Sequence, residues 1–322
     1  MTQQITPGRY RGLKACSLPQ ADVFGMLAFD QRGNYRRMMP DGTPYETYVQ
    51  IKMEVASALS QSASAVLLDP IYGLSAAMQV SGTSGLLMAL EKTGYTGDAT
   101  YRRVEFLDGW SPEKIRKMGA NAVKILIYYS PEQPELADEL DELVAKTAEE
   151  CHAWDIPLFV EPLSYSIDES YGKDSAEFAA KRPDIVVETA RRLSRTGTDI
   201  LKMEFPVDLK YNADHDEWRK QCTRLSDASI VPWVLLSAGV DFEQYEPQVQ
   251  IACESGATGF LGGRAIWKEA VPLSTEERAN FLATIGTERL ARLSAITAAN
   301  ARPWSDFYTT WTSAEDWYKS YS

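Results

Sequence analysis

In the stretch Ile200-Leu-Lys-Met-Glu-Phe205 a lysine and a glutamate alternate with apolar residues. Side chains on a strand alternate between faces, so Leu201, Met203 and Phe205 share one face while Lys202 and Glu204 share the other. The same phase recurs elsewhere in the chain. Lys124, Leu126 and Tyr128 oppose Val123, Ile125 and Ile127; Phe159, Glu161 and Leu163 lie on one face; and a first strand ends at Asp30. A buried charge without a partner is costly, so charges at such positions either pair or serve chemistry. A lone strand lysine is more often a salt-bridged or edge residue. Two of them, both with apolar flanks and both in the inward phase, point instead to a site. With Asp30, Glu161 and Glu204 they make a specific constellation of two lysines and three carboxylates converging on one mouth. Glu204 is expected to neutralise Lys202 or Lys124. Asp69, before Pro70, reads as readily as a loop cap as a ligand, and His152 and His215 read as surface residues.

The elements that must position these residues alternate between short β-rich runs and longer helical stretches. Strands are predicted at Gly25–Asp30, Ala65–Asp69, around Arg103–Leu107, and at Ala122–Tyr128, Pro157–Leu163, Ile200–Phe205, Trp233–Ser237 and Gly259–Gly262. Helical periodicity falls between them, at Tyr45–Ser60, Ser111–Met118, Pro134–Trp154, Asp184–Thr196 and Glu243–Ser255. Alternating strands and helices imply βαβ units and a parallel sheet. Eight units match an α/β fold of the (β/α)₈ TIM-barrel type, whose active sites lie at the C-terminal ends of the strands. The first strand is followed by Phe29-Asp-Gln-Arg-Gly33, which lacks the glycine pattern of a dinucleotide-binding open sheet. A single domain over residues 1–322 is expected, with the barrel at about 20–270. A helical, aromatic extension at about 274–322 would pack outside the barrel or at a subunit contact.

The last two strands end in Leu236-Ser-Ala-Gly239 and Gly262-Gly-Arg264. Small residues there expose backbone N–H groups, and loops after strands seven and eight of a barrel frequently hold phosphate. Arg264 adds a guanidinium suited to bidentate contact.

Composition sets outer limits. Of the 322 residues 44% are apolar and 24% charged, and 45 acidic against 33 basic residues give a net charge of −12. That balance disfavours nucleic acid and anionic membranes as partners. The N-terminal stretch has no apolar core of a signal peptide and no run is long enough for a membrane span, so a cytoplasmic protein is expected. The four cysteines are far apart and there are only two histidines, which argues against a disulfide framework or a Cys/His zinc site.

Seven segments, in order along the chain, resemble the tagatose-1,6-bisphosphate aldolases and their sulfofructose-phosphate aldolase relatives. They are Ala28-Phe-Asp-Gln-Arg-Gly33, Leu67-Leu-Asp-Pro-Ile-Tyr-Gly-Leu74, Leu90-Glu-Lys-Thr-Gly-Tyr95, Ala122-Val-Lys-Ile-Leu-Ile-Tyr-Tyr129, Leu201-Lys-Met-Glu-Phe-Pro-Val207, Leu236-Ser-Ala-Gly-Val240 and Gly262-Gly-Arg-Ala-Ile-Trp-Lys268. The resemblance implies a class I aldolase, independent of metal, with Lys202 as the Schiff-base residue and Glu161 as acid/base. It also places Asp30, Gln31, Glu91 and Lys124 in the active site, and Ser237, Gly239, Gly263 and Arg264 in the phosphate pocket. Lys124 is the expected cation beside Lys202 that favours its neutral amine. Ile71, where tagatose-bisphosphate relatives tend to be acidic, and Tyr101–Glu105 depart from the family pattern.

The implied substrate is a small phosphorylated ketose, a 1-phosphate or 1,6-bisphosphate, cleaved to dihydroxyacetone phosphate and an aldehyde. A sulfofructose 1-phosphate is the alternative, since Gln31, Arg32 and the Arg102/Arg103 pair suit either distal anion. A non-catalytic sugar-phosphate-binding barrel is the reading from another class. A homo-oligomer is expected.

Overall fold

The computed structural model describes residues 2–96 and 98–321. Eight parallel strands close into a barrel in chain order: β1 Phe24–Phe29, β2 Ala65–Leu68, β3 Gly85–Ala89, β4 Ala122–Tyr128, β5 Leu158–Leu163, β6 Ile200–Met203, β7 Trp233–Leu236 and β8 Gly259–Gly262. Each pairs with the next, and β8 returns to β1. Both faces of such strands are covered, which is why they read as nearly unbroken apolar runs. Phe24-Gly-Met-Leu-Ala-Phe29 is buried at every position.

The third strand corrects the sequence reading. Gly85-Leu-Leu-Met-Ala89 is wholly buried and forms β3, whereas Arg103–Phe106 has exposed ends and is half-buried between them. That segment pairs antiparallel with Glu91–Thr96 in a two-stranded ribbon rising from the end of β3. The apolar run, not the one bearing arginine and glutamate, had the composition of a barrel strand.

The main helices are α1 Pro7–Ala15, α2 Tyr45–Ser60, α3 Pro112–Lys117, α4 Pro134–Ala153, α5 Ala176–Leu193, α6 His215–Ala228, α7 Phe242–Glu254, α8 Thr275–Phe281 and α9 Thr287–Asn300. In α4 the buried residues Leu136, Ala137, Leu140, Val144, Ala148 and Cys151 follow the helical period, so one stripe faces the barrel. α5 begins at Ala176 rather than Asp184, because the Ser175 hydroxyl accepts from Phe178 N–H and fixes the start. α8 opens with a capping box between Ser274 and Glu277. α9 packs on α7 and on β1. It thus occupies the place of the outer helix after β8, so part of the expected extension is barrel wall.

α1 covers the N-terminal mouth. Gly12 makes this possible, since a Cβ there would fall 2.5 Å from the Asn121 carbonyl oxygen. The tail returns to the same end: Tyr308–Thr309 pairs with Gln3–Gln4, and Trp304 Nε1 donates to Ser17 Oγ at 2.7 Å. No helix among the described residues is long and apolar enough to cross a membrane.

Candidate active site

At the C-terminal mouth β6 turns Lys202 into the barrel, where it is 2% exposed. Its Nζ lies 2.9 Å from Glu161 Oε2, presented by β5. The fully buried Nζ of Lys124, on β4, reaches the same oxygen at 2.8 Å. It also contacts Asp30 Oδ2 at 2.7 Å and Glu91 Oε1 at 3.3 Å. Register explains the convergence: Leu126 pairs with Glu161 across β4 and β5, one inward step beyond Lys124. Arg32 completes the chain through Nη2 to Glu91 Oε1 at 3.0 Å. Three cations and three carboxylates thus alternate in one network, and their charges cancel.

The electrostatics follow from that alternation. Burial opposes the charge on Lys124, but Asp30, Glu161 and Glu91 outweigh it and hold the ammonium above its ordinary range. Burial also pushes Asp30 upward, yet Lys124, then Lys202, bring its carboxyl well below the usual carboxylate range. At Glu91 burial wins over Lys124 and Arg32, and the carboxyl is raised. Lys124 is therefore a fixed cation beside the Lys202–Glu161 pair. It stands on the same oxygen as Lys202.

These groups border a cavity of about 560 Å³. Its floor on the β7–β8 side is made by the glycine turns. The Gly263 N–H donates to Ser237 Oγ at 3.1 Å, which ties the two turns together. Gly239 has φ +85°, and a Cβ there would lie 2.7 Å from the guanidinium carbon of Arg264. Glycine thus serves both the backbone conformation and the close approach of the arginine. Gln31 also borders the cavity, with its Nε2 beside Gly263. Asp30 Oδ1 and Gln31 Oε1 are buried there without a hydrogen-bond partner.

Several expectations need correction. Glu204 borders the cavity but neutralises neither Lys202 nor Lys124. It pairs with Lys173 at 2.5 Å and Arg182 at 3.7 Å, and accepts from Ser164 N–H at 2.7 Å. Its carboxyl is held at about 2: burial raises it, but Lys173 and Arg182 prevail. Arg32 borders the cavity with its guanidinium bound to Glu91 and the Glu91 carbonyl. Arg103 turns outward to Glu139, and Arg102 lies 4.5 Å over the ring of Tyr128; neither lines the cavity. His152 is half buried, with Nε2 3.0 Å from Asp199, while His215 is exposed.

Asp69 is a loop cap: its Oδ2 accepts from Ile71 N–H and Tyr72 N–H. It also pairs with Lys52, a fully buried lysine overlooked in the sequence. Lys52 donates to the carbonyls of Phe29 at 2.6 Å and Gln31 at 3.2 Å, holding the chain on either side of Asp30. A signal existed, since Lys52 interrupts the apolar stripe Tyr48, Ile51, Val55, Ala56, Leu59 of α2. Lys173 had none, because its loop carries no periodicity.

Comparison with known proteins bears on this site. Residues 24–269 match the family model of the DeoC/LacD family aldolases. Tagatose 1,6-diphosphate aldolase of Lactococcus lactis subsp. lactis is 36% identical, over 87% of this chain and 92% of its own length. Tagatose 1,6-diphosphate aldolase 2 of Streptococcus pyogenes serotype M3 is also 36% identical, over 95% and 99%. Among solved structures, Plasmodium falciparum fructose-bisphosphate aldolase is similar with a TM-score of 0.69 at 15% identity, covering 94% of this chain and 98% of that one. An archaeal fructose-1,6-bisphosphate aldolase, whose catalytic Lys is covalently bound to a carbinolamine intermediate, gives 0.56 at 17%, over 89% and 98%. At those identities the structural likeness is one of fold. The sequence relatives and the family match reach further and span the whole barrel: this chain belongs to the DeoC/LacD family of aldolases.

Proposed function

We propose that the chain is a class I aldolase that cleaves a phosphorylated ketose through a Schiff base on Lys202. The substrate is a ketose 1-phosphate or 1,6-bisphosphate, and the names of the sequence relatives favour tagatose 1,6-bisphosphate. The observation that carries the reading is the shared oxygen: Glu161 Oε2 touches both Lys202 and Lys124 at the edge of the cavity.

In the first step Glu161 takes a proton from Lys202, and the neutral Nζ adds to the C2 carbonyl carbon. Lys124 keeps its proton because Asp30 and Glu91 hold it, so a charge remains beside the carboxylate as the amine loses its own. The carbinolamine loses its hydroxyl as water, protonated by Glu161, and an iminium forms. Loss of the C4 hydroxyl proton to the carboxylate then breaks the C3–C4 bond. Its electrons move into the iminium, leaving an enamine, and the distal half departs as an aldehyde. Protonation at C3 and addition of water release dihydroxyacetone phosphate and regenerate the amine. Such proton transfers contribute about 10²–10⁴-fold. The iminium is the electron sink, so the chemistry calls for no metal ion.

Dihydroxyacetone phosphate release from tagatose 1,6-bisphosphate, measured before and after exhaustive chelation, tests this. Undiminished turnover is expected from the chelated enzyme, with loss of roughly 10⁵–10⁶-fold in Lys202→Met. Loss of activity on chelation would refute it.

A further inference from the structure

We propose that Arg37 is a second phosphate-binding cation, acting with Arg264 to select a dianion at the glycine turns after β7 and β8. The inference rests on the reading of those turns as the phosphate end of the site. Arg37 follows the short helical turn Gly33–Arg36 after β1 and borders the same cavity as Ser237, Gly239 and Arg264. Its guanidinium folds back over that turn: Nη1 lies 3.9 Å from where a Cβ on Gly33 would be, and Nη2 donates to Asn34 Oδ1.

Every other cation bordering this cavity has a carboxylate: Arg32 has Glu91, Lys173 has Glu204 and Lys202 has Glu161. Arg264 and Arg37 stand apart, since among the described residues neither forms an ion pair. Arg37's hydrogen bond goes to a neutral amide. Burial disfavours the charge on Arg264, Glu161 and Asp30 favour it without contacting it, and Arg37 opposes it. A chain with 45 acidic residues has ample carboxylates for this corner. Two arginines there without a directly paired carboxylate match a ligand that brings two negative charges itself. A phosphate monoester above its second ionisation, near pH 6, carries that charge. Arg264 meets it from the floor and Arg37 from the exposed rim. The rim position also keeps Arg37 solvated in the free protein, so the uncompensated pair is tolerable before ligand arrives.

The test uses the full chain with Arg37→Leu and Arg37→Lys. Calorimetry with dihydroxyacetone phosphate reads the phosphate corner, and borohydride trapping of unphosphorylated dihydroxyacetone reads Lys202 separately. Arg37→Leu is expected to weaken dihydroxyacetone phosphate about 10-fold and to leave dihydroxyacetone trapping as in the parent. Arg37→Lys should recover part of the loss. The parent should also lose affinity for dihydroxyacetone phosphate as pH falls from 7.5 to 5.5, and Arg37→Leu should lose less, because it no longer distinguishes the dianion. Unchanged affinity and an unchanged pH profile in Arg37→Leu would overturn the proposal. Equal losses for the phosphorylated and unphosphorylated ligands would overturn it too. Absence of any adduct in the parent would instead count against the Schiff-base reading, while the calorimetry would still report on Arg37.

Discussion

At the N-terminal mouth Asp199 is wholly buried and fully occupied: it accepts from Arg9 Nη2 at 2.5 Å and Nε at 3.1 Å, from Leu158 N–H at 2.8 Å, and lies 3.0 Å from His152 Nε2. At the C-terminal mouth Asp30 has one oxygen on Lys124 and the other without a partner. The first cluster is roofed by α1 and by the returning tail, whose Tyr308 hydroxyl donates to the Asp199 carbonyl at 2.6 Å. The second opens into a cavity. Both ends bury ionic groups, which costs desolvation in either place. One end satisfies them completely and is closed. The other leaves polar atoms unmet where a ligand can reach them. Saturated charge is thus a mark of architecture and unsaturated charge a mark of chemistry, as expected for the two faces of a barrel.

The contrast predicts that substitutions at the two ends fail in different ways. The largest effect belongs to the open end. Glu161→Gln keeps the shape of the side chain but removes the charge between Lys124 and Lys202, and kcat should fall about 10²–10⁴-fold, with a Tm loss smaller than that of Asp199→Asn because Lys124 keeps Asp30 and Glu91 and Lys202 borders the open cavity. Steady-state kinetics alongside thermal melts check this; a large Tm loss with normal kcat would erase the distinction.

The closed end should respond in stability. Burial raises the Asp199 carboxyl, but His152, Arg9 and the Leu158 N–H more than offset it, so its folded pKa lies below the ordinary value. A depressed carboxylate stabilises the fold at pH above its unfolded value, about 3.9, and that contribution is lost as pH falls through the lower folded value. Asp199→Asn is therefore expected to lose about 3–5 kcal/mol at pH 7. It should also flatten the acid limb of the stability curve below about pH 4, without altering kcat per folded molecule. Urea titrations at pH 7 and pH 3 measure both. The smallest effect is Tyr308→Phe, which removes one hydrogen bond from the roof and should cost about 1 kcal/mol in the same titrations.

How much of this was legible in the sequence depended on the range of the interaction. Lys202 and Glu204 were placed inward because a period of two across six residues leaves no other apolar face. The glycine turns showed for a similar reason, since their chemistry is local. The third strand was misplaced because a solvated ribbon and a buried strand are both short and β-rich, and only the uninterrupted apolar run of Gly85–Ala89 separates them. The partners of Glu204, and the Arg9–Asp199–His152 cluster, join residues far apart in the chain. Such pairings leave no local pattern to read.

The central claim is that the amine of Lys202 becomes covalently bound to the substrate carbon. Borohydride reduction of the enzyme with dihydroxyacetone phosphate, followed by mass mapping of its peptides, tests this most directly. One reduced adduct is expected, on the peptide containing Lys202, with none on Lys124 or Lys173. An adduct on either of those lysines, or full turnover with none formed, would contradict it.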